Sequence, residues 1–258
     1  METIDLLKKR MSLRKYEDKE VSKEHLDIIL ESAMRAPTAG NMMLYSIIVV
    51  EDKEKKKVLS KSCDNQPFIE KSPVVLIFLA DMQKWFDYYD YCKVKDYCRE
   101  KELEYNGPDE GDLMLAIADA TIAAQSAVIA AEALNIGSCY IGDIIENYEI
   151  HKELLNLPPW VFPAAMLCLG YYPEGQNKII SPRFDKEYVV FKDKYKKLED
   201  SDFKDMFIER EKRLSPENKA SARNFGQFMY AKKTGSEFSK EMTRSVKEML
   251  KNWTGDKL

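Results

Sequence analysis

The chain has 258 residues, with 40 lysines and arginines against 44 aspartates and glutamates, which leaves a formal net charge of −4. This balance argues against a nucleic acid or an anionic membrane as partner. Five irregularly spaced cysteines, with no CxxC pair and no Cys/His cluster, predict reduced thiols in a cytoplasmic protein and no metal site. The charged N-terminus lacks an apolar core, so we do not expect a signal peptide.

Two kinds of periodicity predict the elements along the chain. Helical spacing or charge patterning predicts helices over 2–9, between Ser22 and Pro37, over 51–61, around 151–155 and through most of the charged stretch 193–258. Apolar, β-branched runs predict strands over 45–50, 74–80, 164–171 and 188–191. The strands at 45–50 and 74–80 lack polar alternation, so we expect both to be covered on two faces.

The stretch 112–133 predicts one long helix in the centre of the protein. It is apolar on nearly every face and carries nine alanines, which predicts burial on all sides. Asp119, Gln125 and Glu132 interrupt it, and carboxylates are costly in a lipid bilayer, so we do not expect a membrane span. The following Gly137–Gly142, GSCYIG, is predicted to be a loop that the helix carries to a site.

Arg10, Ser12 and Arg14 are the first candidate for chemistry. Alternate residues of an extended segment point the same way, so two guanidiniums and a hydroxyl would converge on one spot. Arginine offers forked, charge-assisted donors that suit a phosphate. The alternative is a solvated basic surface after a helix.

The other candidates are two loops. In the stretch Gly137–Gly142, glycines let the backbone approach a flat ligand closely. The alternative is a left-handed helix stop at Gly137, and Cys139 is then a small buried residue. In Ser181-Pro182-Arg183, preceded by Lys178, a cation could complete a phosphate or carbonyl site, or the triplet is a surface turn.

Trp85–Cys98 holds six aromatic residues among charges, and this segment either covers a cleft or packs onto the body. The sequence has no GxGxxG, Walker or GxSxG motif and only two histidines, His25 and His151. Histidine-based acid/base chemistry is therefore a poor explanation of any activity, and a cofactor is the better one.

Three motifs, in this order, resemble the nitroreductase family of FMN-dependent oxidoreductases over about residues 4–192. They are KKRMSLRKYEDKEVSKEHLDIILESAMRAPTAGN at 8–41, LNIGSCYIGDI at 134–144 and SPRFDKEYVVF at 181–191. The resemblance implies an α+β fold with a mixed β-sheet flanked by helices in three layers. It also implies a single domain over 1–258 with a helical C-terminal extension from about 193. The protein is then a homodimer with the central helix in its core and FMN at the subunit interface.

By position, the resemblance also implies which residues bind the cofactor. They are Arg10, Ser12, Arg14, Thr38, Asn41, Met43, Tyr140, Ile141, Gly142, Asp143 and Arg183. Three residues depart from the family pattern: Met43 replaces a frequent Gln, Asp143 a frequent Gly, and Ser181 a frequent Lys for which Lys178 is a substitute. These departures bear on redox potential and on the range of acceptors.

The implied activity is hydride transfer from NADH or NADPH through FMN to nitroaromatic, quinone or flavin acceptors by a ping-pong mechanism. The flavin supplies the chemistry and the protein positions it, so no catalytic side chain is assigned. Two alternatives stay open. One is a non-catalytic FMN-binding redox sensor or carrier, and the other is a colourless helical interaction protein with residues 85–98 as its surface.

Overall fold

The protein, as a computed structural model, is described for residues 3–255. The helices are α1 (Thr3–Lys9), α2 (Lys23–Met34), α3 (Lys53–Ser62), α4 (Pro67–Glu70), α5 (Gln83–Tyr91), α6 (Val94–Glu100), α7 (Glu110–Ala133), α8 (Tyr148–Leu155), α9 (Asp200–Lys212), α10 (Phe225–Met229) and α11 (Glu237–Thr254). The strands are β1 (Tyr45–Val50), β2 (Val74–Asp81), β3 (Ile136–Ile141) and β4 (Val161–Tyr171). Three-residue or four-residue 3₁₀ turns occupy Ala39–Asn41, Gly142–Ile145 and Lys186–Tyr188, and a π-helical turn occupies Tyr230–Thr234.

The chain divides into two compact units. The first contains the residues up to Ile179 and those from Glu241 onward, and the second is Ile180–Lys240. The helices α9, α10 and α11 account for the helical character expected after residue 193. The organisation as one domain with a C-terminal extension stays a prediction.

The four strands form one sheet in the order β1-β2-β4-β3, and every neighbouring pair is antiparallel. The expected mixed sheet is therefore wrong for these strands. The connection through α3 and α4 joins β1 to β2, and the connection through α8 joins β3 to β4. In both cases the two joined strands are antiparallel neighbours in the sheet. Within the described residues, parallel pairing is limited to an isolated bridge between Ser12 and Ser138 at the β3 edge.

The sheet is covered on both faces, as the absence of polar alternation predicts. In β2, Leu76 and Phe78 belong to the core shared with α2 and α7, whereas Val75 and Ile77 belong to the core shared with α3 and α8. All eight residues of β2 are buried. The α+β class and the helix–sheet–helix layering are therefore observed.

Helix α7 is buried on one side only, so the prediction of burial on all sides is wrong for this chain. Ala120, Ala123, Ala124 and Ala127 are fully buried in the core formed with α2 and the sheet. Their small side chains let the helix axis approach the strands. The outer side exposes apolar residues, among them Met114 at 67% and Ile122 at 42%.

By length and hydropathy α7 is long and apolar enough to cross a membrane. Its packing is that of a core helix, because its buried side lies on the sheet and carries two buried carboxylates, Asp119 and Glu132, that are hydrogen-bonded to other parts of the fold. Such bonds compensate the cost of burying a polar group within a protein core.

The stretch predicted to be a glycine loop is mostly the edge strand β3. Asn135 ends α7 in the left-handed conformation, with φ 59°, and β3 then pairs with β4, with Cys139 opposite Cys168. The prediction failed because Gly137 and Ser138 have low strand propensity, and the tertiary pairing overrides that local preference.

The predicted strand at 188–191 is also wrong. Tyr188 ends a 3₁₀ turn, and Val189 and Val190 are exposed. A β-branched run forms a strand only where a neighbour satisfies its backbone N–H and C=O groups, and no strand of the described chain pairs with this one.

Candidate functional site

The segment that follows α1 lies along the edge of β3. Leu13 N–H donates to the carbonyl of Ser138 at 2.9 Å, and Ser12 forms the parallel bridge to the same residue. Leu13 is buried while Ser12 and Arg14 are exposed. The alternation predicted for an extended segment is therefore present, with Leu13 facing the body and its two neighbours facing outward.

Gly137 permits this close approach. A Cβ at Gly137 would lie 2.5 Å from Leu13 Cδ2 and 2.9 Å from Tyr172 Cζ, which no side chain tolerates. The glycine serves packing between two backbone segments and not a helix stop, since its φ is not positive.

Arg10, Ser12 and Arg14 meet beside Cys139. Burial raises the pKa of the Cys139 thiol, while the charge of Arg14, a hydrogen bond from Ser12 and the charge of Arg10 all act in the opposite direction. Neither arginine forms an ion pair with any described residue, and the Nε atom of Arg10 is buried without a hydrogen-bond partner. Two unneutralised guanidiniums beside a hydroxyl form a site for an anion.

The loop 38–44 is held by a carboxylate of α7. Asp119 is 3% exposed and accepts hydrogen bonds from the Thr38 hydroxyl, from Ala39 N–H at 3.0 Å and from Leu44 N–H at 3.3 Å. The Thr38 hydroxyl in turn accepts from Met43 N–H at 2.9 Å. One buried side chain thus fixes both ends of the loop.

This loop has an unusual backbone. Gly40, Asn41 and Met43 all have positive φ, at 56°, 57° and 50°. The left-handed region is uncommon for residues other than glycine, and a position such as Met43 costs of order 1–3 kcal/mol. The contacts of Asp119 and a 2.9 Å hydrogen bond from Trp85 Nε1 to the carbonyl of Met42 oppose that cost.

The candidate site has two walls, of which the loop 38–44 is the first and the stretch 140–143 is the second. The Tyr140 hydroxyl lies 3.4 Å from Gln125 Oε1, and burial raises the pKa of Tyr140 to about 12 against the opposing charge of Arg10. Ile141 is buried in the core, whereas Gly142 is exposed and no atom lies within 4 Å of where its Cβ would be. The open space over Gly142 admits a flat group against the backbone.

Asp143, the last residue of this wall, interacts with the side chains of Gln66 and Glu146. Gln66 Nε2 donates to Asp143 Oδ2 at 2.6 Å. Burial raises the pKa of Glu146 to about 8, and the charge of Asp143 and a hydrogen bond between the two groups add to the shift. At neutral pH Glu146 is therefore mostly protonated and donates to Asp143, whose carboxylate is hydrogen-bonded from two sides.

Helix α7 contacts both the loop 38–44 and the stretch 140–143. Asp119, which holds the loop 38–44, and Gln125, which faces Tyr140, are six residues apart, or about 9 Å along the helix axis. Met43 and Tyr140 pack against the same hydrophobic core. Asn41 is exposed at the surface of the loop.

The late basic loop is split between the two units. Lys178 donates to Glu132 Oε2 at 2.8 Å and lies 4.2 Å from the centre of the Tyr172 ring, so its charge is already neutralised. Arg183 belongs to the second unit, where its guanidinium donates to the carbonyl of Ser181 at 3.2 Å. A binding role for Arg183 stays a prediction.

The aromatic segment 85–98 contains most of α5 and most of α6. Phe86 is buried with its ring centroid 4.8 Å from that of Trp160, so part of the segment packs onto the body. Tyr88 and Tyr91 are exposed and stack on one another. Trp85 reaches the loop 38–44 through a hydrogen bond from its indole N–H to the carbonyl of Met42.

Sequence reasoning missed Gln66, Asp119 and Glu146 as groups of the site. Asp119 did leave a signal, since a carboxylate within an otherwise apolar helix must find donors if it is buried. Gln66 reaches Asp143 from 77 positions away, and no local pattern marks such a pair. His151 is fully buried and bonds to Ser62 and to the carbonyl of Ile144, which is a structural role.

Together, these observations describe an α+β protein with two arginines that have no ion pair among the described residues at the β3 edge and an open backbone at Gly142. The chain belongs to the Nitroreductase family, whose family model matches residues 7–171.

The relatives agree with this assignment. An FMN reductase (NAD(P)H) of Bacillus subtilis is 34% identical over 198 residues, covering 75% of this chain and 74% of the relative. An FMN reductase (NADPH) of the same organism is 32% identical over 200 residues, covering 75% and 74%. The solved structure of a B. subtilis nitroreductase has a TM-score of 0.74 and 27% identity, covering 96% of this chain and 98% of that one.

Proposed function

We propose that this protein is an FMN-dependent oxidoreductase that uses NADH or NADPH to reduce nitroaromatic, quinone or flavin acceptors by a ping-pong mechanism. The observation that carries the proposal is the meeting of Arg10, Ser12 and Arg14 at the β3 edge that leads into the open backbone of Gly142. The names of the relatives, both FMN reductases, support the same choice of cofactor.

The residues present fit FMN. Arg10 and Arg14 have no acidic partner among the described residues, and Arg10 Nε is buried without an acceptor, so a phosphate supplies what this donor set lacks. Thr38, Asn41 and Met43 lie on the loop that Asp119 holds, and Tyr140, Ile141, Gly142 and Asp143 form the other wall. When bound, FMN supplies the hydride acceptor and donor that no side chain of this site provides.

The protein contributes binding and electrostatics to this chemistry. The two arginines neutralise the phosphate, and the backbone at Gly142 is exposed with open space where a Cβ would lie. The Asp143 carboxylate places negative charge on the same wall, moderated by its hydrogen bonds with Gln66 and Glu146. This charge disfavours an electron-rich ring and so lowers the reduction potential of the bound cofactor.

The visible spectrum of the purified full-length protein tests the proposal. We expect a yellow protein whose flavin absorbance is bleached anaerobically by NADH or NADPH and restored by a quinone. A protein with no flavin band after incubation with FMN would contradict the choice of cofactor. A flavin band that neither nicotinamide bleaches would contradict the enzymatic activity.

The position of Asp143 favours one second candidate, a flavin-binding redox sensor or carrier without turnover. A carboxylate on the cofactor wall lowers the driving force for accepting hydride. Anaerobic stopped-flow reduction separates the two functions, because reduction faster than the steady-state turnover supports the enzyme, whereas reduction over many minutes supports the carrier.

The proposal includes a homodimer. It is supported by the outer side of α7, where Met114, Leu115 and Ile122 are exposed in a single chain, since contiguous apolar surface on a helix favours association. Light scattering after size exclusion should give about twice the chain mass for the wild type. An Ile122→Glu variant should shift towards the monomer, and Ile150→Glu, an equally exposed apolar position on α8, should not. A cytoplasmic location, with a small-molecule acceptor and no nucleic acid or membrane partner, completes the proposal.

A further inference from the structure

Asp119 is a buried carboxylate whose donors come from a loop that lies far from it in sequence. It is 3% exposed on the buried face of α7, where Glu132 is the other buried carboxylate. Its donors are the Thr38 hydroxyl and the N–H groups of Ala39 and Leu44. The separation along the chain is 75 to 81 residues. Burying a carboxylate costs several kcal/mol unless hydrogen bonds compensate it, so a purely apolar side chain would serve core packing better.

The loop itself explains why a carboxylate is useful there. The 3₁₀ turn in the loop satisfies the N–H groups of Asn41 and Met42, which donate to the carbonyls of Thr38 and Ala39. The N–H groups of Ala39 and Leu44, at its two ends, need a partner outside the loop. Asp119 has two oxygens and satisfies both ends at once. Thr38 extends the arrangement, because its hydroxyl donates to Asp119 and accepts from Met43 N–H at 2.9 Å.

We infer that Asp119 is a positioning residue that holds the loop 38–44 in its cofactor-binding conformation before the cofactor arrives. It touches none of the reacting atoms and acts through the loop that presents Thr38, Asn41 and Met43. The inference rests on the proposed FMN site, because the loop matters for binding only if FMN binds there.

Glu132 offers a matched control on the same helix. It is also 3% exposed and also hydrogen-bonded, to the Tyr172 hydroxyl and to Lys178 Nζ. It lies 13 residues, or about 20 Å, further along α7 and has no bond to the loop 38–44. The charges of Glu132 and Arg10 both act on Tyr172. Removing the negative charge of Glu132 should therefore favour an anionic ligand at Arg10.

The experiment compares Asp119→Asn and Glu132→Gln in the full chain freed of flavin and titrated with FMN. An asparagine keeps the volume but offers one oxygen and turns an NH₂ group towards a backbone N–H. We expect Asp119→Asn to weaken FMN binding at least tenfold and to change the visible circular dichroism of saturating FMN. We expect Glu132→Gln to bind FMN at least as tightly as the wild type with an unchanged spectrum, even where both variants melt at lower temperature.

Hydrogen exchange of the wild type without flavin keeps the inference testable if Asp119→Asn does not fold. We expect slow exchange at the amides of Ala39, Met43 and Leu44, because the loop is already held. Fast exchange at these amides would overturn the inference, as would wild-type affinity in Asp119→Asn or an equal loss of affinity in both variants. A wild type that binds no FMN while its loop amides exchange slowly would instead overturn the proposed function.

Discussion

The side-chain amide of Gln66 donates a 2.6 Å hydrogen bond to the carboxylate of Asp143. Asp143 is one of the three residues at which this chain departs from the family pattern, and the bond ties its carboxylate to the residue that precedes α4. Glu146 approaches the same carboxylate and holds a proton there. The departure is thus built into a hydrogen-bonded group of three side chains, and it is not an isolated surface charge.

The charge of Asp143 should set the potential of the bound cofactor. In Asp143→Asn the side chain keeps its volume and loses its negative charge, which stabilises the electron-rich reduced ring. We expect the midpoint potential of bound FMN to rise on the order of tens of millivolts. Spectroelectrochemical titration of the holoprotein at pH 7 measures this directly.

Asp64→Asn is the matched control for that shift. Asp64 also acts on Glu146 through its charge but is exposed to solvent, where water screens its field. Its removal should leave the potential within a few millivolts of the wild type. Equal shifts in the two variants would mean that net charge, and not the position of Asp143 on the wall, determines the potential.

Glu146 should make the protein less stable as the pH rises. Burial and the neighbouring charges of Asp143, Asp64 and Glu241 raise its pKa in the folded state to about 8, while the unfolded chain titrates near 4.3. Between these values the folded state holds a proton that the unfolded state has released, so the free energy of unfolding falls with pH, by at most about 1.4 kcal/mol per pH unit.

Urea unfolding between pH 5 and pH 9 tests this titration. We expect Glu146→Gln to flatten the decline relative to the wild type, because the amide does not titrate. Glu149→Gln is the control: Arg244 lowers the pKa of Glu149 to about 2, so its contribution is lost only as the pH falls below about 4. A decline of equal slope in Glu146→Gln and the wild type would assign it to other groups.

The sequence predicted well wherever a local pattern determines structure. Ser22 caps α2 as expected, and the apolar runs of β1, β2 and β4 are strands, because hydrophobic periodicity reflects burial directly. The extended geometry of Arg10, Ser12 and Arg14 also follows from local alternation.

The remaining features depend on contacts between distant residues. Gly137 looked like a helix stop, yet its role is set by Leu13 and Tyr172, which no local pattern reveals. Val189 has strand propensity but no partner strand within the described chain. Asp119 was visible as a polar residue in an apolar helix, but the identity of its donors required the fold.

Trp85 should support the loop 38–44 in addition to Asp119. Its indole N–H donates to the carbonyl of Met42 at 2.9 Å, and the net value of such a bond is about 1 kcal/mol. In Trp85→Phe an aromatic ring remains, but the N–H donor and part of the indole are lost, so we expect FMN affinity to fall by roughly fivefold. Fluorescence titration of the flavin-free protein measures the change.

Tyr88→Phe is the control on the same helix, since Tyr88 is exposed and does not contact the loop. Its FMN affinity should match that of the wild type. If Trp85→Phe also binds FMN normally but shows a changed KM for bulky quinones, Trp85 contacts the acceptor and does not act through Met42.

Gly137→Ala should damage the anion site without altering any residue that would touch the cofactor. The added Cβ would lie 2.5 Å from Leu13 Cδ2 and 2.8 Å from Leu13 Cβ, so the N-terminal segment must move away from β3. Arg10, Ser12 and Arg14 are carried on that segment and would move with it. We expect the free energy of unfolding to fall by about 1–3 kcal/mol. We also expect weaker FMN binding under conditions in which the variant is fully folded, so that lost stability alone does not explain it.

The comparison with Gly111→Ala separates the two effects. No atom lies within 4 Å of a Cβ at Gly111, which sits in the first turn of α7, so alanine there should stabilise the protein by up to about 1 kcal/mol. FMN affinity in that variant should be unchanged. Riboflavin, which lacks the phosphate, adds a second contrast: Gly137→Ala should lose much more affinity for FMN than for riboflavin. Equal losses for both ligands would show that residues 10–14 do not bind the phosphate.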